Sequence, residues 1–483
     1  MPRGLTIQSS QAIALTFVVY ILVVIVIGVV AWRRTQDLRD YILGGRRLGR
    51  WVTALSAQAS DMSGWLLLGL PGYAYAAGME AGWLLLGLFF GTYANWKFTA
   101  QRLRQATEAY GDSLTLPDYL ERRFDDGSGA LRLLSALFIL VFFTFYTSSG
   151  LVAGGRLFEE VFGLDYAWAV TAGGLVVVLY TFVGGFLAVS WTDLVQGVLM
   201  FVALIIVCVM GVAAAGGLDG VVAGMTDVNA EFLNPFTDAG GDPLSIIAIA
   251  SLLGWGLGYF GQPHILARFM AASSAERIPQ ARRIAMVWVS VALLTGALIG
   301  MTGIGLLSSP LEGPDTEKVF MLMATLLLHP VVAGICLSGI LAAVMSTADS
   351  QLLVASSAVS EDLYKGMFRR DARPGELLWV GRLAVVAIAL LAFVMAMDPD
   401  SKVLDLVAYA WAGFGAAFGP VILLSLYWRD MSRSGAIAGV LTGGLTVILW
   451  KQLSGGLFDL YEIVPGVIAS IAAVVIFNRQ PRK

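Results

Sequence analysis

Asp61 lies within an apolar stretch whose other residues are mostly small or hydrophobic. The surrounding run, residues 56–73, reads SAQASDMSGWLLLGLPGY. A carboxylate at membrane depth is costly and usually faces a cavity or an ion path. Serine and glycine on both sides allow the helix to open, which frees backbone carbonyls that only a protein-lined cavity tolerates. The run therefore predicts a broken helix built around a cation; close helix packing with an ion-paired Asp61 is the alternative.

A second stretch carries the oxygen ligands that a hard cation prefers. Residues 342–360 read AAVMSTADSQLLVASSAVS, in which Ser346 and Ser350 share a helix face at i and i+4. Thr347 and Asp349 lie between them. Na⁺ resembles Ca²⁺ and Mg²⁺ in preferring oxygen ligands, and neighbouring hydroxyls with released carbonyls supply them without a thiolate or imidazole. The later hydroxyls we assign to their own i−4 carbonyls: Ser356, Ser357 and Ser360.

A third stretch, residues 252–264, reads LLGWGLGYFGQPH and combines glycine with aromatic residues. Its four glycines are Gly254, Gly256, Gly258 and Gly261, and its aromatic residues are Trp255, Tyr259 and Phe260. Four glycines followed by Pro263 do not favour a straight helix. We expect an unwound segment whose backbone is exposed to a ligand and whose aromatic side chains form walls. Tight helix packing at the glycines is the alternative.

Two further polar features receive structural interpretations. Residues 146–149, Tyr-Thr-Ser-Ser, form a polar patch in an apolar helix, for which interhelical hydrogen bonding is the favoured role. Asp193, in the run WTDLVQ, lies near the start of a predicted helix. There its negative charge is favourable at the positive end of the helix dipole, and its side chain can cap the helix N-terminus. A gate or exit-path role for Asp193 stays open.

The composition defines the broad class of protein. Of 483 residues, 58% are hydrophobic and only 13% are charged, half the charged share of a soluble domain. Cys208 and Cys336 lie in apolar segments, so neither a disulfide nor a metal ligand is expected. Nucleic-acid binding is excluded because there is no basic domain, and an aspartyl protease because Asp61 and Asp349 lack a GxGD pattern. We predict a polytopic membrane protein that is not an enzyme.

Apolar runs long enough to cross a bilayer occur about thirteen times. They cover residues 11–32, 51–78, 81–99, 131–154, 166–188, 191–214, 244–263, 284–307, 332–358, 376–397, 403–427, 435–453 and 463–478. The fold class predicted is an all-α polytopic membrane protein with about thirteen transmembrane helices and a core of inverted five-plus-five helix repeats.

The two interrupted helices open two blocks of five helices each. Because five is odd, the second block starts from the opposite membrane face, and such inverted repeats with broken first helices indicate a secondary transporter. The predicted divisions are an N-terminal helix and loop (1–50), the first repeat (51–214), an extracellular loop (215–243), the second repeat (244–427) and two C-terminal helices with a short tail (428–483).

The distribution of Lys and Arg predicts the orientation. With the N-terminus outside, 26 of the 31 basic residues fall on the inner side and 5 on the outer side. By the positive-inside rule, the N-terminus is expected outside and the C-terminus in the cytoplasm. The first apolar run, 12–32, ends at Arg33 and Arg34, a stop-transfer pattern rather than a cleavable signal. The class of protein places it in the inner, cytoplasmic membrane of the cell.

The three stretches resemble the solute:sodium symporter family, and within it the sodium/proline symporters. The motifs that carry this resemblance are SDMSGWLLLGLPG, GWGLGYFGQPHIL, AAVMSTADSQLL and the less specific WTDLVQ. The resemblance spans about residues 10–430 and implies a LeuT-type fold with Na⁺ as the co-transported ion and proline as the substrate. One departure is Gln58, where the family usually has a glycine before Asp61.

The resemblance also implies site residues. A sodium site would comprise the backbone oxygens of Ala59, Met62 and Ala343 and the hydroxyls of Ser346 and Thr347. Asp61 would support both sodium and substrate binding. A proline pocket would comprise Ser63, Gly64, Trp65, Tyr146, Trp255, Tyr259 and Pro263. A compact ring with a cationic amine fits among such aromatic side chains, and the expected partners are proline, sodium and the lipid bilayer, without an obligatory protein partner.

Other interpretations stay open at this point. A sodium symporter for another small solute, such as another amino acid, pantothenate or a sugar, would use the same broken helices. A proton-coupled carrier is a further alternative because Asp61 can titrate. A channel is disfavoured because no filter segment is repeated in the sequence.

Overall fold

The computed structural model describes residues 7–32, 38–181 and 185–478. Within these ranges the regular structure is helical apart from two isolated β-bridges, which confirms the predicted all-α class. The α-helices are α1 Ile7–Trp32, α2 Leu38–Leu43, α3 Arg50–Asp61, α4 Leu70–Ala77, α5 Ala81–Ala94, α6 Gln101–Ala109, α7 Leu116–Arg123, α8 Ala130–Phe162, α9 Tyr166–Thr181, α10 Phe186–Ala214, α11 Leu218–Val228, α12 Ile246–Gly254, α13 Pro263–Met270, α14 Ile278–Leu306, α15 Val319–Leu327, α16 Pro330–Ser357, α17 Pro374–Ala396, α18 Val403–Tyr427, α19 Arg433–Trp450 and α20 Ile463–Ile476.

Helical structure occupies every predicted span, although part of the span 166–188 lies outside the described residues. Among the described residues, nine helices are long and apolar enough to cross a membrane, or ten if the bent pair Ile246–Gly261 and Pro263–Met270 counts as one span. The number thirteen and the repeat boundaries therefore stay predictions.

The first predicted break lies directly after Asp61. Helix α3 ends there, and Met62 leaves the helical region with φ −87° and ψ 80°. The chain then resumes as a π-helical turn over Trp65–Gly69, which leads into α4. Ser63 and Gly64 provide the small side chains that such an opening requires.

The second predicted break follows α12. The chain tightens into a 3₁₀ helix over Trp255–Gly261 and then extends at Gln262, with φ −75° and ψ 108°. Pro263 begins α13, because proline forces the preceding residue out of the α region while suiting the first helical turn itself. The two halves meet at a bend of 44°.

Helix α16 lies at the centre of the molecule. In its most apolar stretch of 18 residues, 83% of the residues are buried, whereas in that of α1 only 22% are buried. It contacts α3, α8, α10 and α13 and continues as a π-helix over Ala358–Phe368. The hydroxyl-rich stretch of the sequence is therefore enclosed by protein and can face only other helices.

Glycines allow α5 to approach the second break at backbone distance. A Cβ atom added at Gly91 would lie 2.3 Å from the carbonyl oxygen of Gly256. By contrast, a Cβ added at Gly82, in the same helix, would meet no atom within 4 Å. The alternative of tight packing at the glycines thus holds at Gly256, which lies in the 3₁₀ helix before the extended residue Gln262.

We expect Gly91→Ala to destabilise the protein, because the new methyl group must push the second break away from α5. Overpacking of this kind costs about 1–3 kcal/mol. The measurement is the thermal unfolding midpoint of the purified protein in detergent. Gly82→Ala is the matched control and should be neutral or slightly stabilising, since alanine favours a helix over glycine. Equal effects of the two substitutions would contradict the close approach.

Candidate functional site

Asp61 is fully buried at the end of α3. Its backbone oxygen accepts hydrogen bonds from the Trp65 indole N–H and the Tyr146 hydroxyl, each at 3.1 Å. Its carboxylate lies near the Tyr259 hydroxyl, yet neither carboxylate oxygen has a hydrogen bond in good geometry among the described residues. A buried carboxylate without partners is costly, so the side chain is positioned to interact with a ligand.

Four of the five predicted sodium-ligating residues meet between α3 and α16. The backbone oxygen of Ala59 accepts hydrogen bonds from Ser346 at 2.7 Å and from Thr347 at 3.3 Å. Ser346 also lies 3.2 Å from the Ala343 oxygen. The fifth, Met62, is the first non-helical residue after α3. Carbonyl and hydroxyl oxygens of this kind suit a hard monovalent cation.

Side chains from outside the predicted site satisfy the carbonyls of the second break. The Asn95 side-chain amide donates to the Tyr259 carbonyl at 2.9 Å, and the Gln262 amide donates to the Gly258 carbonyl at 3.0 Å. The Trp411 indole N–H donates to the Trp255 carbonyl at 2.8 Å. The Trp411 ring also packs edge-on against Tyr259, with centroids 4.8 Å apart. Sequence reasoning missed these three positioning residues, although a polar Asn95 in an apolar helix was a usable signal.

The predicted substrate-binding residues divide into three groups. Trp65, Tyr146 and Tyr259 gather around Asp61, as described above. Trp255 instead stacks on Tyr461, from the loop before α20, with centroids 5.4 Å apart. Pro263 lines a small cavity on the predicted cytoplasmic side. The structure therefore brings three of these residues together around Asp61 and places Trp255 and Pro263 at the two ends of the 3₁₀ segment.

Ser63 and Gly64 shape the first break. The Ser63 hydroxyl accepts a hydrogen bond from the backbone N–H of Trp65 at 3.4 Å. A Cβ added at Gly64 would lie 2.7 Å from the Ala153 side chain. Gly64 therefore permits close approach of α8, which is the packing role that the sequence left as an alternative.

Asp193 has a different role from the cap predicted for it. Helix α10 begins at Phe186, so Asp193 lies inside the helix and is fully buried. Its carboxylate accepts from the Ser56 and Ser60 hydroxyls at 2.6 and 3.2 Å and forms an ion pair with Arg268 at 3.2 Å. The capping prediction was wrong because the helix starts at least five residues earlier than the sequence indicated.

Arg268 is the residue that sequence reasoning missed most clearly. The predicted span 244–263 leaves it outside the membrane helices, but it lies in α13 and is fully buried. Its guanidinium also donates to Ser56 at 3.1 Å, to Ser350 and to the His264 carbonyl at 3.1 Å. Its place in the apolar run PHILARFM was the available signal. The network joins α3, α10, α13 and α16 on the predicted cytoplasmic side of Asp61.

The opposite side is closed by the segment before α15. The Glu317 carboxylate accepts from the backbone N–H groups of Val403 and Leu404 at 2.9 and 3.0 Å, at the N-terminus of α18. Burial raises the pKa of the Glu317 carboxyl. With Asp61 and its neighbours buried, the candidate site is shielded from solvent on both sides.

We expect Arg268→Met to destabilise the protein by about 3–5 kcal/mol, because it leaves the Asp193 carboxylate buried without its cation. The double variant Arg268→Met/Asp193→Asn should recover most of this loss, since no buried charge remains unpaired. Thermal unfolding of the purified variants in detergent measures both. A double variant as unstable as Arg268→Met would contradict the ion-pair interpretation.

The fold is that of a recognised class of secondary transporter. A sodium-coupled sialic acid symporter, solved in a substrate-bound outward-open state, superposes with a TM-score of 0.78 at 18% identity, covering 98% of this chain and 99% of that chain. A nucleobase-cation-symport-1 family transporter, solved closed around bromovinylhydantoin, gives a TM-score of 0.57 at 12% identity, covering 92% and 95%. The predicted LeuT-type fold is confirmed.

The family follows from sequence comparison. A model of the sodium:solute symporter family matches residues 41–443. The chain is 52% identical to the sodium/proline symporter of Salmonella typhimurium, covering 97% of this chain and 93% of that protein. It is 47% identical to the osmoregulated proline transporter of Bacillus subtilis, covering 97% and 95%. The chain belongs to the sodium:solute symporter family, which confirms the resemblance found in the sequence.

Proposed function

We propose that the protein imports L-proline together with sodium by alternating access. Relatives that are about half identical over nearly the whole chain are named for this activity. The observation that carries the proposal is the meeting of Ser346 and Thr347 at the Ala59 carbonyl, directly before the break that holds Asp61. The proposed ion site at Ala59 and the proposed substrate pocket at Asp61 are therefore two positions apart along the chain.

Sodium is the first ligand in this mechanism. The Ser346 and Thr347 hydroxyls, which now donate to the Ala59 carbonyl, rotate their protons away, and all three oxygens then bind the ion between α3 and α16. The released carbonyl of Met62 completes the set of oxygen ligands. An ion held there fixes the first break in one conformation, which prepares the adjoining pocket for substrate.

Proline then binds between the two broken helices. Its ring fits against Trp65 and Tyr259, and its cationic amine gains from the aromatic faces and from the Asp61 carboxylate. Its carboxylate is held by amides at a half-helix N-terminus. The Arg268 guanidinium is bound to Asp193 and Ser350, so it offers no second cationic partner for a dicarboxylate.

The driving force follows from the charge that is moved. One charge in a potential of 100 mV contributes about 2.3 kcal/mol, and a tenfold sodium gradient adds about 1.4 kcal/mol. Together these support accumulation of roughly several hundredfold for one sodium per proline. We place the protein in the inner membrane with the N-terminus outside and the C-terminus in the cytoplasm, as the basic residues predict.

Uptake of radiolabelled proline into proteoliposomes tests the proposal directly. We expect uptake that requires an inward sodium gradient and that is lost in Asp61→Asn, because an amide offers neither the charge nor the two acceptors of a carboxylate. Sodium-driven uptake of another solute, with proline inert, would refute the substrate assignment. Uptake driven by a proton gradient without sodium would refute the coupling ion.

We expect Ser346→Ala to raise the sodium concentration needed for half-maximal uptake by about tenfold. The reason is that the loss of one oxygen ligand reduces the binding free energy of sodium by about 1.4 kcal/mol. Uptake measured over a range of sodium concentrations gives this value. Ser338→Ala is the matched control on the same helix, because the Ser338 hydroxyl donates to the Gly334 carbonyl of its own turn. An unchanged sodium dependence in Ser346→Ala would remove this residue from the ion site.

A further inference from the structure

Two cavities follow one another on the predicted cytoplasmic side of the candidate site. The inner cavity, about 30 Å³, is lined mainly by apolar side chains, including Ile139 and Leu353. The outer cavity, about 510 Å³, is lined mainly by charged side chains of the loop before α7, of α7 itself and of the π-helix Ala358–Phe368. A route from the site to the cytoplasm would pass through an apolar segment and then a polar one.

Only a thin partition separates the two cavities. Leu114, Thr115 and Asp362 line both of them. The Thr115 hydroxyl donates to one Asp362 oxygen at 2.8 Å and accepts from the backbone N–H of Asp118 at 3.1 Å, as the cap of α7. A hydrogen bond from the cap of α7 to the π-helix therefore crosses the partition.

Asp362 retains an unused acceptor at this junction. Its side chain is 1% exposed, and its second oxygen, Oδ2, has no hydrogen-bond partner among the described residues. The neighbouring Arg132 lies 3.9 Å from the other oxygen, while it contacts Asp118 and Glu121 at 2.5 Å each. A buried carboxylate oxygen without a donor is costly, and it leaves an acceptor that suits a positively charged N–H group.

The inner cavity is lined by helices that also carry residues of the candidate site. Pro263, which begins α13, lines it, and Ile139 lies seven residues before Tyr146 on α8. Ser357, which also lines it, lies ten residues after Thr347 in the helix that carries the predicted ion ligands. The cavity thus follows the same three helices from the buried site toward Asp362.

We propose that Asp362 is a release subsite, where the secondary ammonium group of proline binds as the substrate leaves for the cytoplasm. The inner cavity is apolar, as a pyrrolidine ring requires, but at about 30 Å³ it must widen to admit the ring. A sodium ion would instead need several oxygen ligands. Opening requires Thr115 to release Asp362, which frees both carboxylate oxygens for the ammonium group. This proposal rests on the proposed function, since it concerns the route of the same substrate.

Transport measured from each membrane face tests the subsite. In inside-out vesicles we expect Asp362→Asn to raise the proline KM at the cytoplasmic face by about tenfold or more, the effect of a lost hydrogen bond between charged groups. In right-side-out vesicles the KM at the external face should stay unchanged. Glu361→Gln is the matched control, because it removes a neighbouring charge that lines the outer cavity alone, and it should alter neither KM.

Two results would overturn the subsite. An unchanged cytoplasmic KM in Asp362→Asn, or an equal change at both faces, assigns the residue no role in release. Wild-type protein that transports no proline with sodium would refute the proposed function instead, so the two failures are distinguishable.

A labelling experiment keeps the route testable if Asp362→Asn does not fold. Ser357→Cys, in a background with Cys208 and Cys336 replaced by alanine, places a thiol in the inner cavity. A small cationic methanethiosulfonate should modify it from the cytoplasmic face during turnover, and saturating cytoplasmic proline should slow the reaction. Modification from the external face alone, or none from the cytoplasmic face, would overturn the route.

Discussion

The structure depends on one constraint: within a bilayer, every backbone polar group needs a partner inside the protein. Both helix breaks meet this constraint with side chains from other helices. At the first break Trp65 and Tyr146 donate to the Asp61 carbonyl, and at the second Asn95 and Trp411 donate to the unwound carbonyls. The breaks are held open by the surrounding helices, so any movement of those helices changes the groups that a ligand meets.

Buried charged side chains also need partners inside the protein. Arg268 forms an ion pair with one oxygen of Asp193, which also accepts from serine hydroxyls, and this network joins four helices. Asp61 and Asp362 each keep oxygens without hydrogen bonds among the described residues. The Asp193 carboxylate holds helices together through an ion pair at 3.2 Å, whereas the Arg132 guanidinium lies 3.9 Å from Asp362.

Much of the fold was predictable from local sequence. Hydropathy indicated the helices, and Gly, Ser and Pro indicated the breaks at residues 62–64 and 255–262, because unwinding requires small side chains or proline nearby. The hydroxyl-rich stretch around Ser346 could be identified as a candidate for oxygen ligation from its residue types, and the family resemblance selected Ser346 and Thr347 within it. The role of Asp193 could not, because the start of α10 at Phe186 depends on packing that single-sequence patterns do not contain.

The sequence by itself determined the class of protein, the helical stretches, the two breaks and the residues suited to a cation, since these follow from residue type and spacing. The tertiary structure decided which residues meet. It brought Ser346 to Ala59, buried Arg268 against Asp193, and set Asp362 between two cavities. These contacts join residues that are more than 70 positions apart or lie on different helices, and such pairings arise from helix packing, which periodicity along one chain does not encode.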